Sequence, residues 1–196
     1  MLTTFTLDTN CIIAVEEARP ESEAILKLAN AHRLGNASVA LVAISASERQ
    51  KNGNNLETFT IFKERLKQLG LGHLDLLEPM LYFDVTFFDY CLWTDETMVL
   101  LEHDIHKVLF PNIDFLWSTY CESHGLNPMS DCPNHKWRNA KCDVQAYWSH
   151  AYRKRDVFVT SDQNFHKKTK QSQLIARVGG RILTPQLAID VLNEEG

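Results

Sequence analysis

The sequence contains one run that is apolar almost throughout, Ser38-Val-Ala-Leu-Val-Ala-Ile44. A strand that is apolar on both faces is typical of a parallel sheet with helices packed on each side. Ser45-Ala-Ser-Glu48 follows directly and is mostly polar, which indicates that the strand ends there. The run therefore predicts a central strand of a covered parallel sheet.

Strand and helix patterns alternate around this run. Thr4-Phe-Thr-Leu7, Asp156-Val-Phe-Val-Thr160 and Arg181-Ile-Leu-Thr184 predict three further strands. Pro20 begins a helix in the first part of the chain, and Pro185 suits the first position of the last helix. Other helices are predicted over 56–69, 94–110, 111–123, 140–154 and 171–178. The alternation predicts a three-layer α/β/α sandwich around a mainly parallel central sheet.

The segment 70–137 fits this alternation less clearly. Residues 74–88 are strongly apolar and predict a strand somewhere within them. Trp93, Trp117 and Trp137 are expected to anchor a local core. His103 and His106 are expected on a solvated helix face. The organisation predicted is a single domain over 1–196 with a helical insertion over 70–137, and a chain break is expected at Gly53-Asn-Asn55.

Composition excludes several classes of protein. The chain has 196 residues, of which 44% are hydrophobic and 23% charged, so it can bury a core and general disorder is excluded. No apolar run approaches the roughly 20 residues needed to cross a bilayer. The N-terminus lacks the basic stretch and apolar core of a signal peptide, and five cysteines without framework spacing favour free thiols. We therefore expect a cytoplasmic protein with no membrane partner.

Charge is distributed unevenly. The net charge is −5, which taken alone argues against a partner that is a polyanion. Residues 1–132 hold 19 acids and 9 bases, whereas residues 133–181 hold 11 bases against three acids. A basic quarter of the chain on an acidic body is compatible with a nucleic-acid footprint, and equally with ordinary solvated helix faces.

Four acids follow or approach the carboxyl ends of predicted strands. Asp8 ends the first strand, Glu48 follows the apolar run, and Asp162 follows the strand that ends at Thr160. Asp143 lies near the start of the helix that leads into that strand. Because ligands of open α/β sheets bind at the carboxyl ends of the strands, we expect all four at one edge.

Such a group of acids needs a counter-charge. Two carboxylates ~4 Å apart repel by roughly 4 kcal/mol at an effective dielectric constant near 20. Oxygen-rich sites of this kind suit Mg²⁺ or Mn²⁺. Each acid also has an ordinary interpretation, because Asp8 and Asp162 can cap a helix or turn, and Glu48 and Asp143 can favour a helix dipole. Those interpretations explain single acids but not the convergence of four.

The same residues resemble a known family. Leu7-Asp8-Thr9-Asn10-Cys11-Ile12-Ile13, a strand ending in Glu48, Asp143, and Val159-Thr160-Ser161-Asp162-Gln163-Asn164-Phe165 together look like a PIN domain. This is the nuclease fold of VapC-type toxins and of several RNA-processing and decay enzymes. The likeness covers residues 1–50 and 138–196, with Gly180-Arg-Ile-Leu-Thr-Pro185 similar to the family's last strand and helix. Asn164 departs from the family, in which many members carry an acid there.

The resemblance implies a metal-dependent ribonuclease that hydrolyses phosphodiester bonds of single-stranded RNA, most simply as an endoribonuclease. Asp8, Glu48, Asp143 and Asp162 would then be catalytic and hold one or two Mg²⁺ or Mn²⁺ ions. The residues expected to orient the carboxylates or a water are Asn10, Thr160 and Asn164. The residues expected to hold the RNA backbone, or else to face solvent, are Lys141, Lys167, Lys168 and Lys170. The likeness also suggests a toxin with an antitoxin partner, and a homodimer. The alternative is a catalytically silent PIN-like scaffold that binds RNA or protein.

Other chemistries have weaker sequence support. Cys121-Glu-Ser-His124 and Cys132-Pro-Asn-His135 could form a structural Zn²⁺ site, with Cys142 as an alternate ligand, although the gap is shorter than in common zinc modules. A haloacid-dehalogenase-type phosphatase would need an aspartate at residue 10, where this chain has Asn10. No glycine-rich run precedes a Lys-Ser/Thr pair, so a P-loop is absent.

Overall fold

A computed structural model describes residues 2–48 and 56–194 of the chain. The predicted break at 53–55 lies outside these residues. Within them, no helix is long and apolar enough to cross a membrane.

The central sheet has five parallel strands in the order β3-β2-β1-β4-β5. They are β1 (Thr4–Leu7), β2 (Ser38–Val42), β3 (Asp75–Leu77), β4 (Val157–Val159) and β5 (Arg181–Leu183). β1 lies at the centre, with Phe5 paired in register with Val39 on one side and Val157 on the other. The sheet confirms the predicted parallel arrangement.

Helices connect the strands. The first part of the chain forms α1 (Thr9–Glu16), α2 (Ser22–Arg33), a 3₁₀ helix (Ala43–Ser47) and α3 (Phe59–Gln68). The middle forms α4 (Glu96–Leu109) and α5 (Trp117–His124). The last part forms α6 (His135–Tyr152), α7 (Gln163–His166), α8 (Lys168–Val178) and α9 (Pro185–Glu194).

The two faces of the sheet bury two separate apolar clusters. Phe5 and Leu7 of β1 point to one face, where they meet apolar side chains of α1, α2, α3 and α9. Phe158 of β4 and Ile182 of β5 point to the other face, toward α4, α6 and α8. Successive strand residues alternate between these faces because the side-chain period of a strand is two. The fold is therefore the predicted three-layer α/β/α sandwich.

Two differences between the predicted and observed boundaries of elements affect the positions of the acids. The strand of the apolar run ends at Val42, and Ala43–Ser47 forms the 3₁₀ helix instead. α6 begins at His135, five residues earlier than expected, because the Asn134 side chain caps it by accepting a 3.0 Å hydrogen bond from the Trp137 backbone N–H. Asp143 consequently lies in the middle of α6 rather than near its start.

The segment 70–137 supplies β3 at one edge of the sheet and α4, which packs on α6. Trp137 is buried as expected, and its Nε1 donates to the Asp114 carbonyl oxygen at 3.0 Å. The expectation for Trp93 is wrong, since its side chain is 76% exposed. The expectation for His106 is also wrong, because its Nε2 lies 2.7 Å from the Ile113 carbonyl oxygen and the residue is buried.

Candidate active site

The strand order places a ligand crevice between β1 and β4. The chain runs from β1 outward to β2 and β3, and then crosses to β4 on the other side of β1. Open α/β sheets bind ligands at the carboxyl ends of the strands where the order reverses in this way. Asp8 directly follows β1, and Asp162 lies just beyond β4.

A cleft of about 310 Å³ opens at this point. It is lined by Asp8, Thr9, Asn10, Ile13, Arg19, Glu48, Asp143, Ser161 and Asp162. The structure therefore brings the four predicted acids, which come from distant parts of the chain, to one cleft. We call this the acidic cleft.

The Asp8 carboxylate accepts hydrogen bonds from three groups. Its Oδ1 accepts a hydrogen bond from the Thr9 backbone N–H at 2.8 Å. Its Oδ2 accepts from Asn10 Nδ2 and from Thr160 Oγ1, each at 2.8 Å. Its backbone N–H donates to the Val159 carbonyl oxygen at 3.0 Å, which extends the sheet beyond β1. The carboxylate is thus oriented by neighbours from both β1 and β4.

Thr9, the first residue of α1, connects Glu48 to the start of that helix. Its hydroxyl donates to Glu48 Oε1 and lies 2.7 Å from Ser45 Oγ. Asp162 occupies the start of α7, where its Oδ1 accepts a 2.8 Å hydrogen bond from the Asn164 backbone N–H. The Asp162 backbone N–H donates to Thr160 Oγ1 at 3.0 Å, so Thr160 contacts both Asp8 and Asp162.

Burial and mutual repulsion disfavour the charged forms of these acids. Burial raises the pKa of Asp8 to about 6 and that of Glu48 to about 8, despite the hydrogen bonds that each accepts. Burial and then the charges of Asp8, Glu48 and Asp162 raise the pKa of Asp143 well above its usual range. The positive charge of Arg65 acts to lower the pKa of Glu48, but its effect is smaller than that of burial. The acids of the cleft therefore influence one another electrostatically.

The one basic side chain in the described lining of the cleft is Arg19. Its guanidinium lies 2.6 Å from the Glu17 carboxylate, outside the group of four acids. No Lys or Arg in the described part of the chain forms a salt bridge with Asp8, Asp143 or Asp162. Acidic side chains therefore outnumber basic ones four to one among the described residues that line the cleft.

The acids do not form a ready-made metal site. Among residues 2–48 and 56–194, no three His, Cys, Asp or Glu side chains are arranged to hold one metal ion together. The all-oxygen donor set has the chemistry that Mg²⁺ and Mn²⁺ prefer, although the carboxylates line the cleft rather than converge on one point.

Two of the residues expected to orient the site contact its acids directly. Asn10 donates to Asp8 and also to Thr160 Oγ1 at 2.8 Å, and its Oδ1 accepts from the Ser161 backbone N–H at 3.0 Å. The Asn164 side chain contacts no acid. Its Oδ1 accepts from Lys170 Nζ at 2.5 Å, and only its backbone N–H reaches Asp162.

The four lysines expected at the RNA backbone lie in different environments. Lys141 is 1% exposed, and its Nζ lies 2.9 Å from Glu102 Oε1, so the prediction that it contacts RNA is wrong. The reason is that α6 turns this side chain toward α4 rather than toward solvent. Lys170 is half-buried, with Nζ 2.5 Å from the Leu109 carbonyl oxygen. Lys167 and Lys168 are exposed and close in sequence to Asp162.

The cysteine and histidine pairs that could have formed a zinc site do not come together as a ligand set in the described structure. Cys121 and Cys142 are buried, whereas Cys132 is exposed. The His124 ring stacks on Tyr120 at 3.9 Å, and its Nδ1 lies 2.9 Å from the Tyr120 carbonyl oxygen. His135 lies at the first position of α6.

Sequence reasoning missed several residues of the cleft. The sequence assigns Thr9 no role in the site, although its hydroxyl donates to Glu48 and lies 2.7 Å from Ser45 Oγ. Arg19 and Ser161 line the cleft without any spacing signal that could have identified them. Thr9 and Ser161 adjoin predicted residues, so proximity to Asp8 and Asp162 was the only available indication.

Comparisons with known proteins add no family assignment. No protein-family model matches the chain, and no curated protein matches it significantly.

Proposed function

We propose that the chain is a metal-dependent ribonuclease that hydrolyses phosphodiester bonds of single-stranded RNA at the acidic cleft. The observation that carries the proposal is that Asp8, Glu48, Asp143 and Asp162, from distant parts of the chain, line one cleft at the reversal of strand order. A fold gains no stability from bringing like charges together, so a functional role for the group is the better explanation. The likeness to PIN domains, which rests on the same four positions, supports the same reaction.

The cofactor of this reaction would be Mg²⁺ or Mn²⁺, held by oxygens of Asp8, Glu48, Asp143 and Asp162. A bound divalent ion lowers the pKa of a coordinated water and offsets charge at the phosphorus. Ion binding would also favour the charged form of Asp143, whose pKa is raised first by burial and then by the charges of Asp8, Glu48 and Asp162. Because three hydrogen bonds hold the Asp8 carboxylate, this acid would be oriented before a ligand arrives.

The protein's own side chains would orient the acids and hold the substrate. Thr160 and Asn10 hold Asp8, and Thr9 holds Glu48. Arg19, on the cleft wall, could bind a phosphate of the RNA if it exchanges its contact with Glu17. Lys167 and Lys168 are the exposed lysines nearest in sequence to Asp162 and suit a backbone contact.

The test is cleavage of a labelled, circular single-stranded RNA by the purified full chain with Mg²⁺ or Mn²⁺. A circular substrate has no ends, so cleavage requires an endoribonuclease. We expect cleavage with either metal, no cleavage in a chelator, and a loss of at least about 100-fold in Asp8→Asn or Asp143→Asn. Asp190→Asn is the matched control, since Asp190 is an exposed acid of α9 far from the cleft in sequence, and it should cleave like the wild type.

Metal binding separates this proposal from the silent scaffold. Calorimetric titration with Mn²⁺ should give binding to the wild type and to Asp190→Asn, and much weaker binding to Asp8→Asn. Binding of RNA without cleavage under every metal condition would favour the scaffold. Cleavage that persists in Asp8→Asn and Asp143→Asn would place the reaction elsewhere and overturn the proposal.

A role as a toxin, with an antitoxin as protein partner, is a further part of the proposal. Induced expression in bacteria should arrest growth, and Asp8→Asn should relieve the arrest. Unimpaired growth with well-expressed wild-type protein would exclude the toxin role while leaving the nuclease proposal intact. Sedimentation of the purified chain tests the homodimer that the same resemblance suggests.

A further inference from the structure

Arg138 is a cation of α6 whose donors are used inside the protein. Its Nε and Nη2 donate to the Ser47 carbonyl oxygen at 3.2 and 3.0 Å. Its Nη2 also contacts the Val85 carbonyl oxygen at 3.4 Å, and its Nη1 donates to the Asp84 carbonyl oxygen. One guanidinium thus bridges three backbone carbonyls from two segments that are far apart in sequence.

The first of these carbonyls belongs to the peptide group that leads into Glu48. The 3₁₀ helix ends at Ser47, and Glu48 has extended backbone angles of φ −76° and ψ 149°. Since a peptide group is planar, a bond that fixes the Ser47 carbonyl also orients the Glu48 backbone N–H and constrains the position of its Cα. Arg138 therefore acts on the backbone from which a cleft acid projects.

The same guanidinium is rigidly connected to a second cleft acid. Arg138 and Asp143 both belong to α6, five residues apart, or about 7.5 Å along the helix axis. α6 also packs directly on the 3₁₀ helix. The separation between Glu48 and Asp143 is consequently set in part by the arginine that joins their two backbones.

The other carbonyls belong to a turn of the middle segment. In this turn the Val85 and Thr86 backbone N–H groups donate to the Tyr82 carbonyl oxygen at 3.2 and 2.9 Å. Asp84 has φ +59°, a left-handed conformation that residues other than glycine rarely adopt. Such a conformation persists where surrounding contacts determine it, and Arg138 contacts the Asp84 carbonyl itself.

From these contacts we infer that Arg138 is a positioning residue for the acidic cleft. It holds the turn at 82–86 and the end of the 3₁₀ helix against α6, and so places Glu48 relative to Asp143. The middle segment thereby contributes to the site without supplying a residue to its lining. The catalytic consequence rests on the proposed function, whereas the hold on the Glu48 backbone does not.

Arginine is specific to this role for a geometric reason. A planar guanidinium presents five N–H donors in a fixed fork, so it can serve three carbonyls at once, whereas a lysine ammonium is a compact point charge. The tests are therefore Arg138→Met, which removes all the donors, and Arg138→Lys, which keeps the charge. The matched control is Arg153→Met, since Arg153 caps the other end of α6 and forms an exposed salt bridge with Glu78 at 2.7 Å.

The first measurement is hydrogen exchange by mass spectrometry, which needs no activity. Arg138→Met should exchange at least tenfold faster at residues 43–48 and at 82–86, with β4 unchanged. Arg138→Lys should be intermediate, and Arg153→Met should match the wild type in both segments. Unchanged exchange at 43–48 in Arg138→Met, or equally faster exchange throughout the chain, would overturn the inference.

The second measurement is steady-state cleavage of RNA. Arg138→Met should lower kcat at least tenfold with KM within twofold of the wild type, and Arg138→Lys should recover part of kcat. A change in KM alone would indicate substrate binding and would contradict a positioning role. If the wild type cleaves no RNA, the proposed function fails and hydrogen exchange alone decides the inference. If Arg138→Met does not fold, Arg138→Lys decides both measurements: wild-type exchange and wild-type kcat would overturn the inference.

Discussion

Two clusters of charge lie two residues apart on α6 and differ in how the protein balances them. Lys141 pairs with Glu102 in the core, with Nζ 2.9 Å from Oε1. Gln145 Nε2 donates to the same Oε1 at 2.9 Å, and the Tyr82 hydroxyl donates to Oε2 at 2.5 Å. Asp143, in contrast, faces three other acids in the cleft.

The two clusters differ in whether the described residues supply a cation for the buried carboxylates. In the core cluster of Lys141, Glu102, Gln145 and Tyr82, the cation and the carboxylate are paired. The Lys141 ammonium also contacts the faces of the Phe115 and Tyr82 rings at 4.2 and 4.5 Å. In the described structure, no Lys or Arg forms a salt bridge with Asp8, Asp143 or Asp162. Removing one partner of a buried pair leaves an uncompensated charge, whereas the repulsion among the cleft acids falls when one of them is neutralised.

The largest expected effect on stability comes from removing the cation of the core cluster. Lys141→Met leaves the Glu102 carboxylate buried without its cation and should lower the free energy of unfolding by about 3–5 kcal/mol. Urea denaturation at pH 7 measures this loss. The double variant Lys141→Met/Glu102→Gln should recover a large part of it. A loss below 1 kcal/mol in the single variant would show that the pair is unimportant to the fold.

Raising the pH should destabilise the protein because Glu48 in the cleft loses its proton. The pKa of Glu48 is raised from an ordinary 4.5 to about 8, so the folded state holds this proton more tightly than the unfolded state. The associated stability is present below about pH 4.5 and is lost as the pH rises through about 8. At 1.36 kcal/mol per pKa unit, Glu48 should remove about 2 kcal/mol between pH 6.5 and 8.5.

That pH window is chosen because another buried group acts in the opposite sense below it. Burial lowers the pKa of His150 to about 3, so His150 makes stability rise with pH up to about 6.5. Urea denaturation in a chelator across pH 6.5–8.5 should show the decline in the wild type and in Asp190→Asn. The decline should be smaller in Glu48→Gln. An equal decline in Glu48→Gln would refute the assignment to Glu48.

Removing one cleft charge should stabilise the fold while it abolishes the proposed activity. Asp143→Asn keeps the shape of the side chain and removes one of four repelling carboxylates, so we expect a gain of about 1 kcal/mol at pH 8. Denaturation without metal, with Asp190→Asn as control, measures it. A variant that is less stable than the wild type would mean that Asp143 supports the fold as Glu102 does.

The smallest effect should come from an ion pair in water. Lys27 and Glu23 form an i,i+4 pair on α2 at 2.7 Å, and both side chains are mostly exposed. The change in the free energy of unfolding of Lys27→Met should be close to zero in the same urea experiment, because water and salt screen an exposed pair. This value calibrates the comparison, since a loss near that of Lys141→Met would remove the distinction between buried and exposed pairs.

Local sequence patterns were sufficient to predict the layers of the fold and the edge of the sheet at which the acids lie. The apolar run at 38–44 predicted a covered parallel strand, and β2 lies inside the sheet between β1 and β3. Asp8, Glu48 and Asp162 were expected at the carboxyl ends of strands, and all three line the acidic cleft. Such predictions succeed because strand periodicity and the position of a residue after a strand are properties of neighbouring residues.

Packing between distant segments decided the rest. Nothing near Lys141 in sequence distinguishes it from the exposed Lys168, and only the approach of α4, which carries Glu102, buries it. In the sequence, Arg138 is one of several bases in a basic segment and nothing marks it out. Its role is indicated only by the contacts of its guanidinium with Ser47 and with the turn at 82–86. The partners of a long cationic side chain come from wherever the chain folds back. Their identity therefore depends on tertiary contacts rather than on the residues beside it.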